Sequence, residues 1–307
     1  MGAFKQGLIT AIIIVLAWTG GINSMARWGA TVTACLCVII ILIGLYLSTK
    51  EQAELIATGL VLLVIISISV FLHPNPLGYW KIYTAAAALC AMQIGRHYPP
   101  NLTKIDSIIL LVAIAPLLLF DNPNIVAFWP FALAWATGFI WHLALLPLLL
   151  SRGSILGTVG AAIVFFRPKP SLVTLVLVAV VPLYLIRPET ADNRLGYWAT
   201  AWQVFIDHPW GIGPGGLGQH IVEPGGGYQM HSHNILLTFA AENGFFGLCG
   251  IILAALALPQ EIALARWQWA FLAGLAVWSM VDEPLFWPGP LIFTGYLLGV
   301  RCYQTTN

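Results

Sequence analysis

The chain has 307 residues, of which 59% are hydrophobic and only 8% are charged. A soluble domain carries about 25% charged residues, so too little charge is present to coat a globule in water, and a mean hydropathy of +0.87 agrees. Disorder is excluded by the same hydrophobicity, and a net charge of +1 excludes nucleic acid as a partner. The composition predicts an all-α polytopic integral membrane protein, a single membrane domain over 1–307.

Apolar runs long enough to cross a bilayer fall at 7–22, 28–48, 54–73, 80–95, 106–120, 125–150, 154–166, 171–186, 234–258, 262–281 and 285–301. The Ala-rich run 80–95 is ambiguous between a span and a re-entrant or interfacial segment, which leaves 10–11 transmembrane helices. The runs lack the alternation of a β-barrel. Cys35, Cys37, Cys90 and Cys249 lie inside apolar runs and there is no CxxC pair. Neither a disulfide framework nor a Cys-based zinc site is expected.

Lys and Arg in short loops mark the cytoplasmic side. Arg167, Lys169, Arg266 and Arg301 fall on one side, which places 187–232 and the turn Ser151-Arg152-Gly153 on the other. Arg187 ends span 171–186 on that outer side as well. The stretch 187–232 is the long polar loop of the chain, and with His233 just beyond it carries four of the seven histidines. In so apolar a chain, this concentration locates the chemistry.

Within the loop, Leu195, Trp198, Ala201, Trp202 and Phe205 repeat at three- and four-residue spacing. They predict a helix over 194–207 lying on the membrane surface, capped by Asp192 or Asn193 and stopped by His208-Pro209. Arg194 would open this helix, where a cation is favoured only if an anion is bound beside it. The run Gly211-Ile212-Gly213-Pro214-Gly215-Gly216-Leu217-Gly218 lacks the GK[ST] of a nucleotide-binding loop. It reads either as a mobile spacer or as backbone N–H groups facing an anion.

Next comes His231-Ser232-His233-Asn234, with Ser232 as the expected N-cap of span 234–258. His233 then falls in its first turn, at the outer membrane face. At about 100° per residue, Gly244 returns to within roughly 20° of His233, with Ala240 and Gly247 near the same line. One helix face thus carries a histidine above small residues, which let another helix or a lipid chain come close. Glu242 points the opposite way, into the bundle. The positive end of the helix keeps the imidazole neutral, as a general base requires. A zinc site built from His220, Glu223, His231 and His233 is the rival reading; HxH alone is a weak metal signature. Asp282 and Glu283, in the last outer turn, read as solvated acids or as partners for an arginine or an acceptor group.

Together, Arg194 with Tyr197-Trp198, His208-Pro209, Gly211-x-Gly213-x-Gly215 and His231-Ser232-His233-Asn234 followed by Gly244 and Gly247 resemble the O-antigen ligase and polymerase superfamily. The histidine, the Asn after it, and two glycines at the family's spacing occur as His233, Asn234, Gly244 and Gly247, and Ser151-Arg152-Gly153 is similar to its Ser-Arg turn. The match covers about 150–250. The resemblance implies an inverting, metal-independent glycosyltransferase of the bacterial cytoplasmic membrane, its active site facing the periplasm and needing no cofactor. The donor would be a glycan on undecaprenyl diphosphate. The acceptor would be a hydroxyl of lipid A–core, of a second lipid-linked repeat, or of a protein.

Catalysis would then fall to His233 as base and Arg194 as anion-stabilising cation. Arg152, Arg187, His231, Asn234, Tyr197 and Trp198 are the substrate-binding candidates, and Gly213, Gly215, Gly244 and Gly247 shape the backbone. An anionic-lipid transporter or a membrane scaffold is the alternative outside the enzymes.

Overall fold

A computed structural model describes residues 12, 34–35, 37–43, 53–74, 76–97, 104–115, 123–148, 151–167, 188–222, 231–261 and 264–300. They are mostly helical, with no β-strand among them. The principal helices are α1 (Ala53–Leu72), α2 (Pro76–His97), α3 (Lys104–Ile114), α4 (Pro123–Thr137), α5 (Leu145–Leu148), α6 (Arg152–Phe166), α7 (Pro188–Asp207), α8 (Ile235–Glu261), α9 (Arg266–Ser279) and α10 (Pro288–Gly299). The expected spans 7–22 and 171–186 and most of 28–48 lie outside the described residues. Segment 80–95 belongs to one continuous 22-residue helix, α2.

The centre is α4, in which every residue from 126 to 135 is buried. Its aromatic rings meet those of two neighbours: Phe131 packs edge-on to Trp278 of α9 at 5.7 Å, and Trp129 meets Phe293 of α10 at 5.3 Å. The expected single span 125–150 is broken. Gly138 turns the chain with φ +68°, and a 3-10 turn, Ile140–Ala144, leads into α5. The hydroxyl of Thr137 caps the break by donating to the Leu133 carbonyl and accepting the Phe139 N–H.

Two helix pairs approach backbone to backbone through glycine. A Cβ on Gly157 of α6 would lie 2.8 Å from the Gly274 carbonyl of α9, and one on Gly295 of α10 only 2.2 Å from the Ala88 carbonyl of α2. Small residues at such crossings let whole helix faces come into van der Waals contact. These pairs fix where α6, α9 and α10 begin and end, and the site forms at those ends.

The outer faces are apolar. Val61, Val64, Ile68, Phe71 and Leu72 are exposed along α1, Ile108, Ile109 and Val112 on α3, and Ile252, Leu253 and Leu256 on α8. Among the described residues, one helix stretch, Ile235–Ala257, is long and apolar enough to cross a membrane. Leu63–Leu72, Val126–Thr137 and Arg152–Phe166 are shorter apolar helices.

A histidine–aspartate pair at the start of α8 as the candidate active site

The segment 231–234 leads into α8 by an unusual backbone path. His233 has φ +60°, a left-handed conformation seldom adopted outside glycine. It is therefore not in the helix. The N-cap is Asn234 rather than Ser232: its side-chain oxygen accepts the N–H groups of Leu236 and Leu237. Ser232 bonds locally to the Asn234 carbonyl and to Thr238. The neutral imidazole expected from the helix dipole thus needs another cause.

Burial supplies that cause, and the loop between α9 and α10 holds the ring in place. Asp282 and Glu283 are not solvated acids; they are 6% and 3% exposed. His233 Nδ1 lies 3.0 Å from Asp282 Oδ1. Glu283 Oε1 accepts the Asn234 N–H at 3.0 Å and the Thr238 hydroxyl at 2.5 Å. One acid therefore holds the His233 side chain, and the next holds the backbone beside it. Glu283 ties the strained turn to α8 by accepting both groups, each of which also bonds the Ser232 hydroxyl.

Burial lowers the His233 pKa, and its hydrogen bond to Asp282 opposes this without cancelling it. Burial pushes Asp282 up, but His233, Arg194 and His231 together hold its carboxyl below the usual range. The two directions agree on one state at neutral pH: an ionised carboxylate accepting Nδ1–H from a neutral imidazole. In that tautomer the lone pair sits on Nε2.

Helix α7 covers this pair. It begins at Pro188, not at 194, so Arg194 lies within the helix and does not open it. The expected membrane-facing stripe divides, with Ala201 packed inward and Leu195 and Trp202 exposed. Ala201 and Val204 pack with Leu217, Ile221 and Ala241. This orientation turns the Tyr197 ring onto His233, stacked at 6.0 Å between centroids. The Arg194 charge acts on both His233 and Asp282. Three buried polar atoms here have no hydrogen-bond partner among the described residues: Arg194 Nη1, Trp198 Nε1 and Asp282 Oδ2. Such atoms are costly unless a ligand or water completes them.

The Ser151-Arg152-Gly153 turn reaches the same place. Ser151 caps α6 by accepting the Ser154 N–H, and a Cβ on Gly153 would stand 3.3 Å from the Asp282 Cβ. Arg152 is thereby carried to the edge of the site. His231 sets its ring edge-on to His233 at 4.5 Å and tilted against Phe286 at 4.7 Å. Its Nδ1 lies within reach of the His233 N–H at 3.3 Å and of Glu283 Oε1 at 3.6 Å. Arg187 and Glu223 lie outside the described residues. Among the described residues no group of three or more His, Cys, Asp or Glu is placed to hold a metal ion, and His220 is exposed.

The glycine run is neither a free spacer nor an anion cradle open to solvent. At Gly244, α8 departs from helical geometry, with φ +65° and ψ −160°. The break frees backbone carbonyls, and the loop takes them: Ile212 N–H bonds to Ala241 and Gly213 N–H to Glu242. Gly215 N–H does face an anion, but it is the Glu242 carboxylate at 2.7 Å. Glu242 points into the bundle as expected and pairs with Lys81 of α2 at 2.6 Å. Lys81 also lies 4.6 Å from the centre of the Phe286 ring. Gly244 itself packs on Pro209 and Trp210, and a Cβ on Gly247 would press into Asn243 of its own helix. The space below His233 expected for another helix or a lipid chain is thus filled by the chain itself.

Of the expected site residues, Arg194, Tyr197, His231, His233 and Asn234 converge, with Arg152 and Trp198 beside them. Gly213, Gly215, Gly244 and Gly247 form the scaffold under that cluster. No protein-family model matches the chain, and no curated protein or solved structure matches it either.

Proposed function

We propose that this protein is a polytopic membrane glycosyltransferase of the O-antigen ligase and polymerase type. It moves a glycan from undecaprenyl diphosphate to an acceptor hydroxyl on the periplasmic face of the bacterial cytoplasmic membrane. The observation that carries this reading is the buried, unpartnered Arg194 Nη1 beside the His233–Asp282 pair. A base and an anion-binding cation side by side are what transfer from a diphosphate needs. The apolar outer faces of α1, α3 and α8 supply the membrane contact.

His233 Nε2 takes the acceptor hydroxyl proton as its oxygen attacks the anomeric carbon. The bond from that carbon to the diphosphate oxygen breaks, and the leaving diphosphate keeps the electron pair. Attack opposite the leaving group inverts the anomeric configuration. Arg194 and Arg152 stabilise the charge that develops on the diphosphate. Asp282 stabilises the imidazolium formed on His233. Lipid A–core, a second lipid-linked repeat and a protein Ser or Thr all present the same attacking hydroxyl.

The test is reconstitution in vesicles with a lipid-linked oligosaccharide donor and gel analysis of the products. His233→Ala and Arg194→Ala should each lose transfer by about 10²–10⁴-fold while remaining monodisperse in detergent. Full transfer by either variant defeats the mechanism. Activity should survive EDTA; loss that zinc reverses would favour the metal reading.

A further inference from the structure

We infer that the lipid boundary of this protein lies at the Gly244 break of α8, marked by Trp210, Phe245 and Phe246 seated at the junction of headgroups and acyl chains. The candidate site then stands well clear of the hydrocarbon. This rests on the membrane reading above but places the surface elsewhere than the start of the helix.

Three aromatic side chains are exposed together here: Trp210 at 67%, Phe245 at 54% and Phe246 at 59%. Trp210 stacks on Phe246 at 5.6 Å. They come from two segments joined by the bond from Phe245 N–H to the Pro209 carbonyl. On one side of this level the exposed surface of α7 is mixed, with Gln203 bonded to Asp207 and His208 beside Leu195, Trp202 and Ile206. On the other side the exposed groups are apolar: Ile252, Leu253 and Leu256. A mixed surface that gives way to a wholly apolar one, with aromatic rings at the change, is the pattern of a membrane interface.

Helix lengths fit the same level. The last turn of α1 meets α8 there, with the Ser69 hydroxyl on the Glu242 carbonyl and His73 against Gly213. Phe71 and Leu72, at that end of α1, are still exposed. α1 has 20 residues, about 30 Å at ~1.5 Å per residue. The part of α8 from Gly244 to Glu261 measures about 27 Å on the same rise. Both are close to a hydrocarbon thickness of about 30 Å. The turns of α8 before the break lift Ile235 about 14 Å above it. This gives Lys81, Glu242, Asp282 and Glu283 an aqueous-side setting, where buried charge is far less costly than in lipid.

The experiment measures depth by spin labelling. The five native cysteines are replaced, and single cysteines are placed at Thr200, Gln203, Trp210, Phe246, Leu253 and Leu256 in the full chain. Labelled protein is reconstituted in phosphatidylethanolamine–phosphatidylglycerol vesicles. Collision with oxygen reports lipid, and collision with a water-soluble nickel chelate reports water. Thr200 and Gln203 should favour the chelate and Leu253 and Leu256 oxygen, with Trp210 and Phe246 at the crossover. Trp210 and Phe246 probe one level independently, so failure of one variant to fold leaves the test intact. A Phe246 or Trp210 label as deep as Leu253 overturns the proposal, since hydrocarbon would then reach above the break. Labels there as wet as Gln203 overturn it too, placing the surface lower. Shielding from both reagents would mean that a protein covers the patch, also against it. Chelate access at Leu253 and Leu256 would instead defeat the membrane reading itself.

Discussion

His233 Nδ1 and Asp282 Oδ1 stand 3.0 Å apart although the residues are 49 positions apart in the chain. The contact joins the entrance of α8 to the loop between α9 and α10, and it fixes both the tautomer and the angle of the imidazole. Asp282→Asn should therefore lower glycan transfer by about 10²–10⁴-fold. The amide can bond the ring in the wrong tautomer and cannot stabilise an imidazolium. Steady-state transfer assays show whether kcat falls while donor KM stays within about threefold; unchanged kcat would remove Asp282 from the mechanism.

The pH dependence follows from the directions of the two shifts. His233 lies below its ordinary value of 6.5, so the acidic limb of kcat/KM should fall below that pH. Asp282→Asn removes the partner that raises His233 and should move the limb to still lower pH. Stability changes with the same sign. The unfolded chain protonates His233 at about 6.5 and Asp282 at about 3.9, and both folded values lie lower. Unfolding therefore takes up protons, and stability falls on acidification. The His233 share is present above pH ~6.5 and lost below it, and the Asp282 share is lost below about 3.9. Thermal unfolding in detergent from about pH 2 to pH 8, compared with His233→Gln and Asp282→Asn, measures both.

Gly244→Ala should be severe. The residue has φ +65°, and an added Cβ would lie 2.4 Å from the Trp210 carbonyl carbon. The loop would be forced off the exposed carbonyls of α8, at a cost of several kcal/mol for the strain and the unpaired groups. Gly196→Ala is the control: it sits in α7 with nothing within 4 Å of the new methyl. That change should be neutral or stabilise by about 0.5–1 kcal/mol. Melting temperatures of the two variants, taken side by side, decide the matter.

Lys81 and Glu242 form a pair whose loss should be asymmetric. Lys81→Met leaves the Glu242 carboxylate buried with Gly215 N–H as its remaining strong donor, and should cost about 3–5 kcal/mol. Adding Glu242→Gln should recover part of this, because the amide oxygen still accepts Gly215 N–H without a charge. A double variant less stable than Lys81→Met alone would mean that the carboxylate itself anchors the loop.

Most of the described helices were legible in this sequence because long apolar runs have few other options. The end of α7 at His208-Pro209 was also legible, since proline stops a helix. The inward direction of Glu242 followed from the cost of exposing it to lipid. What escaped was long-range. Nothing local to Asp282 announces a histidine 49 residues earlier, and two acids in a short turn ordinarily face water. Lys81 sits in an Ala-rich helix with no pattern pointing to Glu242. Gly244 misled in a different way. Counting 100° per residue assumes an unbroken helix, and this glycine breaks it, so the expected face with His233 does not exist. On α7 the stripe through Leu195 and Trp202 was legible, but the inward face of Tyr197, Ala201 and Val204 was not, because it keeps the same spacing beside that stripe.

The glycine contact between α2 and α10 has a consequence for biosynthesis. α2 leaves the ribosome early and carries Lys81, yet its main mate is the last described helix. Until Pro288–Gly299 emerges, Ala88 of α2 lacks the Gly295 that packs on its carbonyl. Packing of this pair is thus completed only late in translation. A chain cut short before Pro288 would leave that face of α2 without its glycine partner.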